Sequence, residues 1–156
     1  MLNPIVLEQL HKIKDTINEN YGFVEDIPRI NYGPCGVFAH VFYLTWNACL
    51  TPPVHICFVL TKDREECDHV CLCLPSGDLY DGGIGIHQRE LYTPSFLVED
   101  MLEYDEPTLE KWSYGLDRTY PRYCPSFDRT FVEQVVRQHL EPLQGIPILS
   151  EKIVGQ

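Results

Sequence analysis

The feature that most constrains the fold is a single apolar helix near the start of the chain. Residues 34–47, PCGVFAHVFYLTWN, place apolar side chains on nearly all sides of a helix. A helix with this pattern is buried on every side, so other elements must pack around it. Gly33 and Pro34 precede the apolar run and favour a helix start at that point. The sequence therefore predicts a domain built around this helix.

The segments on either side predict the remaining elements. Residues 5–19 have the spacing of an amphipathic helix, and residues 127–143 contain another, with Asp128 as its N-cap. Residues 54–60 and 69–74 are short β-rich runs. The turn signal PSGD then leads into LYDGGIGI as a returning strand, so residues 68–86 predict a hairpin. Residues 94–104 predict a short helix, and residues 112–127 predict an ordered loop rich in aromatic side chains.

The order of these elements indicates the fold class. Helices come first, then strands, then a helical end, which predicts an α+β fold with an antiparallel sheet rather than alternating βαβ units. A chain of 156 residues, 44% of them hydrophobic, has the size and the core of one domain. We therefore expect a single domain over residues 1–156.

Charge and composition argue against several classes of function. The formal net charge is −11 and the 12 Lys and Arg residues are scattered, so a nucleic-acid backbone would be repelled. The sequence has neither an apolar run long enough to span a membrane nor the pattern of a secretory signal. The seven cysteines are then expected to be reduced thiols. We predict no nucleic-acid partner, no membrane association and a cytoplasmic location.

Cys35 lies in the first turn of the apolar helix. The free backbone N–H groups and the positive end of the helix dipole favour a thiolate there, and they can bind a developing oxyanion. Gly36 comes directly after the cysteine and is expected to leave open space beside the sulfur. The alternative is a small buried side chain, because most free cysteines behave as core residues.

A cysteine nucleophile needs a base, and the base needs an orienting partner. His69 opens the strand HVCLCL and Asp81 lies in the returning strand, so the two can share one face of the hairpin. This requires a three-residue loop or a β-bulge near PSGD, because either one sets Cys71 opposite Asp81 and His69 one diagonal away. His87, which follows a glycine-rich run, is the reserve candidate for the base.

The same strand has a competing interpretation as a metal site. Cys67, His69, Cys71 and Cys73 alternate along the chain and would share one face, as in a ligand cluster. The strand rise of about 3.3 Å per residue spreads them too far apart to surround one zinc ion. We therefore expect no metal here, and we expect Cys71 and Cys73 to pack inward against the helix that carries Cys35.

With Cys35, His69 and Asp81 in this order, the chain resembles the papain-like fold in its transglutaminase-like and arylamine-acetyltransferase-like branch. The segment YGPCGVFA is similar to the transglutaminase pattern Gly-Gln-Cys-Trp-Val-Phe-Ala, and HVCLCLPSGDLYDGGIG is similar to the His-strand and Asp-Val-Gly-Phe-Gly hairpin of the acetyltransferases. The resemblance implies Cys35 as nucleophile, His69 as general base and acid, and Asp81 as the residue that orients it. Pro34 and Gly36 stand where transglutaminases carry Gln and Trp.

These residues predict a thiol hydrolase that cleaves an amide or peptide bond through an acyl-enzyme, as a peptidase, amidase or deamidase. Asn31, Tyr32 and Gly36 are the candidates for oxyanion or substrate contacts. Two alternatives stay open: an acyltransferase or transglutaminase that passes the acyl group to an amine, and a non-catalytic binding or inhibitory module on the same fold. We expect no cofactor and a protein or peptide substrate. Residues 104–123 are predicted either to wall the cleft or to serve as packing.

Overall fold

The computed structural model describes residues 1–22, 29–32, 34–113 and 127–150. In chain order the helices and strands are α1 (Pro4–Tyr21), α2 (Cys35–Cys49), β1 (His55–Leu60), β2 (Cys67–Cys73), β3 (Leu79–Asp81), β4 (Gly85–His87), β5 (Leu97–Met101), α3 (Glu106–Ser113) and α4 (Arg129–Leu140). Short 3-10 helices cover Arg29–Tyr32, Arg89–Leu91 and Glu141–Leu143. The predicted α+β class is confirmed. Within the described residues, no helix combines the length and the apolar character that crossing a membrane requires.

The first and last α-helices begin where the sequence predicts. The Asn3 side chain accepts a hydrogen bond from the backbone N–H of Ile5, and Pro4 occupies the first turn, where an N–H would have no helical partner. Asp128 caps α4 by accepting from the backbone N–H groups of Thr130 and Phe131. Helix α4 packs against both α1 and α2. The prediction that the central helix is buried on every side is wrong, because Leu44 is 45% exposed and Ala48 is also exposed.

The strands form one antiparallel sheet in the order β4-β3-β2-β1-β5. The single returning strand predicted over residues 79–86 is wrong, because the chain reverses after Asp81 and pairs β4 with β3. The short helix predicted over residues 94–104 is also wrong, since β5 pairs with the outer edge of β1. The edge of β1 offers backbone hydrogen bonds to residues 97–101, and these outweigh the local helical pattern. The partners in β1 lie outside any short stretch of sequence around those residues.

Helix α2 packs against one face of the sheet. Its apolar side chains share a core with alternate strand residues, which include Ile56, Phe58, Val70, Leu72 and Tyr80. The intervening residues Cys57, Cys71, Cys73 and Leu79 form a second cluster on the opposite face. The prediction that Cys71 and Cys73 pack against α2 is therefore wrong, because their position in the alternation directs them away from it.

A β-bulge beside His69 breaks the alternation expected along β2. Val59 pairs with His69 but the next residue, Leu60, pairs with Cys67, so Asp68 is the extra residue. Cys67 therefore joins the core on the α2 side, opposite to the second cluster. The predicted common face of the four residues does not exist. In the described part of the chain, no group of three or more His, Cys, Asp or Glu side chains could hold a metal ion.

The aromatic segment near the C-terminal third lies partly outside the described residues. The loop predicted over residues 112–127 is described only at its two ends. Of residues 104–123, those at Glu106–Ser113 form helix α3, which packs against α2 and β2.

Candidate active site

The hairpin of β2 and β3 has the register that pairing His69 with Asp81 requires. Leu72 lies opposite Tyr80, and residues 75–77 form the loop. Gly77 closes this loop at φ +90°, a left-handed conformation that glycine adopts without strain. The predicted three-residue loop is confirmed. Continued by one residue, the register sets position 71 opposite position 81 and places His69 one diagonal away on the same face.

His69 and Asp81 form a buried, hydrogen-bonded pair. Nε2 of His69 lies 2.8 Å from Oδ2 of Asp81, and the two side chains are only 6% and 1% exposed. An ionised carboxylate can only accept a hydrogen bond, so His69 Nε2 carries the proton. Nδ1 is the ring nitrogen that remains for Cys35, which lies close enough to raise the pKa of His69.

Charge interactions in this pair outweigh the effect of burial. Burial alone lowers the pKa of His69, but hydrogen bonds and charges from Asp81 and Cys35 raise it from 6.5 to about 10. Burial also acts to raise the pKa of Asp81, yet His69, His87 and the backbone N–H of Ile84 hold it below its usual range. Both shifts favour an imidazolium facing a carboxylate at neutral pH.

The second oxygen of Asp81 holds the turn between β3 and β4. Its Oδ1 accepts from the backbone N–H groups of Gly83 at 2.9 Å, Ile84 at 2.6 Å and Gly85 at 3.3 Å. These bonds fix the carboxylate plane through the backbone, which leaves Oδ2 directed at His69. The glycine-rich run after Asp81 therefore serves to orient the acid.

Cys35 is the first residue of α2 and only 2% of its surface is exposed. The helix starts one residue later than predicted, with Pro34 as the N-cap, and the Pro34 side chain makes no capping hydrogen bond in the described part of the chain. The first backbone N–H groups of a helix have no partner inside the helix, and they carry partial positive charge. The site thus joins a thiol at a helix start, an imidazole and a carboxylate.

The open space expected beside Gly36 does not exist. A Cβ at this position would lie 2.4 Å from Cβ of Ser113, 2.8 Å from its Cα and 2.9 Å from its carbonyl oxygen. The end of α3 therefore packs directly onto α2 beside Cys35. Glycine is required here for the close approach of two backbones rather than for access to the sulfur. Gly36 keeps only its backbone N–H as a candidate oxyanion donor.

Asn31 lies against the acid and its turn. Its Nδ2 is 3.4 Å from Oδ2 of Asp81, and a Cβ on Gly83 would lie 2.7 Å from that same nitrogen. The amide donor is directed at the carboxylate, so Asn31 is a neighbour of Asp81. Its role as an oxyanion or substrate contact stays a prediction. Tyr32 ends a 3-10 helix, but its side chain, like residue Gly33, lies outside the described residues.

His87 and Tyr92 extend the buried polar cluster. His87 Nε2 lies 3.8 Å from Oδ2 of Asp81 and 2.9 Å from the Tyr92 hydroxyl. The Tyr92 ring centroid is 5.4 Å from that of His87 and 6.1 Å from that of His69. Because Asp81 pairs with Gly85, position 87 falls on the same face of the sheet as Asp81. This alternation is the sequence signal that could have identified His87 as a neighbour of the acid. Tyr92 has no such signal, since a 3-10 turn after β4 carries it there.

A cavity of about 150 Å³ lies between α2 and α4, away from this cluster. Its lining includes Cys49, Arg129, Glu133 and Arg137, and none of the residues of the His–Asp pair or the helix start. The charges that line it are of both signs, so they indicate no particular ligand.

Comparison of the chain with protein-family models, with curated proteins and with solved structures finds no match in any of the three. Any assignment of function must therefore come from the geometry and chemistry of the site.

Proposed function

We propose that the protein is a cysteine hydrolase with a papain-like fold, in which Cys35 attacks an amide or peptide carbonyl, His69 moves the proton and Asp81 orients His69. The observation that carries the proposal is the buried hydrogen bond between His69 and Asp81 beside Cys35, the first residue of α2. A nucleophile bonded to a base that is itself oriented by an acid is the arrangement that activates thiols and hydroxyls for covalent catalysis.

The charge state of His69 supports an ion-pair resting state. Its pKa of about 10 keeps the imidazole protonated at neutral pH. A positive charge close to the sulfur favours the thiolate of Cys35, as does the partial positive charge of the helix start. The thiolate then needs no further base before it attacks, and the imidazolium already holds the proton that a leaving amine requires.

The steps follow from these groups. The sulfur of Cys35 bonds to the carbonyl carbon, and the resulting oxyanion lies within reach of the first backbone N–H groups of α2. When the C–N bond breaks, the amine leaves with the proton from His69, and a thioester remains on the sulfur. His69 then takes a proton from water as the water attacks the thioester. The acid product leaves, and the thiolate and imidazolium are restored.

The test of the proposal is the reactivity of each thiol. The protein is treated with iodoacetamide near about pH 6, where an ordinary thiol is almost fully protonated, and modification is quantified by peptide mass spectrometry. We expect Cys35 to react first. Cys49 is the internal control, because it is the more exposed of the two while burial raises the pKa of its thiol. Slow labelling of both residues at the same rate would contradict the proposal.

A second measurement connects reactivity with turnover. Hydrolysis of p-nitrophenyl acetate is followed in the native protein, in C35A and in H69N. We expect C35A to show only the background rate and H69N to lose about 10²–10⁴-fold, the usual contribution of a positioned base. Addition of a primary amine then distinguishes water from an amine as the acyl acceptor. Equal rates for the native protein and C35A would refute the hydrolase.

A further inference from the structure

The proposed mechanism leaves one buried titratable group unused, His87. Its Nδ1 lies 2.8 Å from the carbonyl oxygen of Gly85, and its Nε2 lies 2.9 Å from the Tyr92 hydroxyl. The side chain is only 6% exposed. Nε2 of His87 is 3.8 Å from Oδ2 of Asp81, so His87 is close enough to compete with His69 for this carboxylate oxygen.

The hydrogen bonds of His87 define its tautomer. A carbonyl oxygen can only accept, so Nδ1 must donate to Gly85. In the neutral ring Nε2 is then the acceptor, and the Tyr92 hydroxyl is its donor. Burial raises the pKa of Tyr92, so the phenol keeps the proton that it donates. Both ring nitrogens of a neutral His87 are thereby satisfied without Asp81.

We propose that Tyr92 and His87 are positioning residues for the proposed triad: the Tyr92 hydroxyl occupies Nε2 of the Nδ1–H tautomer of His87, which reserves Oδ2 of Asp81 for His69. This inference rests on the proposed function for its catalytic meaning. If His87 gained a proton on Nε2, a second positive charge would lie 3.8 Å from Oδ2 of Asp81, and the carboxylate would be shared between two imidazolium rings. His69 would then be held less firmly in the orientation that proton transfer needs.

The surroundings of His87 make Asp81 the charge that matters. Tyr92 approaches from beyond β4, and Cys73 of β2 lies on the same face two strands away. Burial raises the pKa of both, so both are neutral near pH 7. Lys14 of α1 lies against the start of β4, and its charge opposes protonation of a neighbouring imidazole.

The experiment compares Y92F, H87Q and the double variant with the native protein. Nitrogen NMR of the histidine rings reports which ring nitrogen carries a proton, and thermal melting checks the fold. In the native protein we expect His87 to carry its proton on Nδ1. In Y92F the lone pair on Nε2 loses its donor, so the ring should no longer be restricted to the Nδ1–H tautomer, and a proton on Nε2 should be detected.

The pH profile of p-nitrophenyl acetate hydrolysis is the functional readout. A proton on Nε2 of His87 would compete with His69 for Asp81, so Y92F should turn over more slowly than the native protein. The Y92F/H87Q double variant has no ring to compete, and its profile should match that of H87Q alone. A packing defect caused by the lost hydroxyl would not be rescued in this way.

The possible results are separable. The inference is overturned if His87 keeps its native tautomer in Y92F, or if Y92F/H87Q differs from H87Q alone as much as Y92F differs from the native protein. The proposed function fails instead if the native protein hydrolyses the ester no faster than C35A. The ring NMR needs no turnover, so it decides whether Tyr92 controls His87 in either case.

Discussion

Replacement of Asp81 by Asn separates two roles of one carboxylate. Oδ1 of Asp81 holds the backbone of the turn at Gly83, Ile84 and Gly85, whereas Oδ2 faces His69. Asparagine keeps an amide oxygen that can accept from the turn. It loses the negative charge and presents an N–H₂ group where Oδ2 was. D81N should therefore retain the fold and lose the electrostatic function.

The magnitude follows from the bond that is lost. A hydrogen bond to a charged group contributes about 1.5–3 kcal/mol, and one pKa unit corresponds to about 1.4 kcal/mol. The pKa of His69 should therefore fall from about 10 by about one to two units in D81N. The population of the imidazolium–thiolate pair relative to the neutral pair should fall by about ten- to a hundredfold for the same reason.

The tautomer of the base should also change. His69 donates from Nε2 to Asp81 in the native protein. Because an asparagine N–H₂ group cannot accept that proton, the neutral ring would carry its proton on Nδ1, the atom that must receive it from Cys35 or water. We expect turnover to drop by about 10²–10⁴-fold in D81N as a result.

D81A is the matched control for the structural role. Alanine offers no acceptor to the three turn N–H groups, and each buried donor left unsatisfied costs about 1–3 kcal/mol. Chemical denaturation should therefore place the free energy of unfolding of D81A below that of D81N. Ring NMR of His69 and the alkylation rate of Cys35 against pH measure the electrostatic part. The reasoning is refuted if His69 titrates at the native pH in D81N, or if the two variants are equally stable.

Three further predictions concern packing, register and pH. G36A should lower the free energy of unfolding by about 1–3 kcal/mol, because its Cβ would overlap the backbone of Ser113; removal of the Ser113 side chain in G36A/S113G should recover only part of this loss in a denaturation experiment. One glycine inserted before Gly77 should move Asp81 to the other face of the hairpin and abolish the selective alkylation of Cys35, while two inserted residues should preserve the face; equal labelling in both would argue against the register. The stability that His69 contributes should be complete below about pH 6.5 and lost as the pH rises through about 10, because folding raises the pKa of His69. Denaturation curves of H69N, taken at both ends of this pH range, should not show this loss.

The pairing of His69 with Asp81 could be predicted from the sequence because it depends on which face of the hairpin each residue occupies. Strand residues alternate between faces, so only the length of the loop at PSGD had to be decided, and glycine at position 77 suits the left-handed end of a three-residue loop. Helix caps were predictable for a similar reason. Asp128 bonds to residues two and three positions ahead, which is a purely local interaction.

The errors fall where distant segments meet. Residue 36 was expected to border open space, but α3 brings Ser113 onto it from more than seventy positions away. Residues 97–101 have a weak helical pattern that yields to pairing with β1. The extra residue Asp68 moves the Cys67 side chain to the other face of the sheet. The order of cysteines and histidine along β2 does not predict this bulge.

The sequence alone determined the class of elements, the apolar central helix and the parity that lets His69 meet Asp81, because these depend on periodicity, caps and turn chemistry over a few residues. Only the tertiary structure decided which groups surround the pair. It brought Asn31 beside Asp81 and Tyr92 beside His87. It also packed Ser113 against Gly36. Those contacts join segments far apart in the chain, and they are set by how helices and strands pack rather than by any local preference.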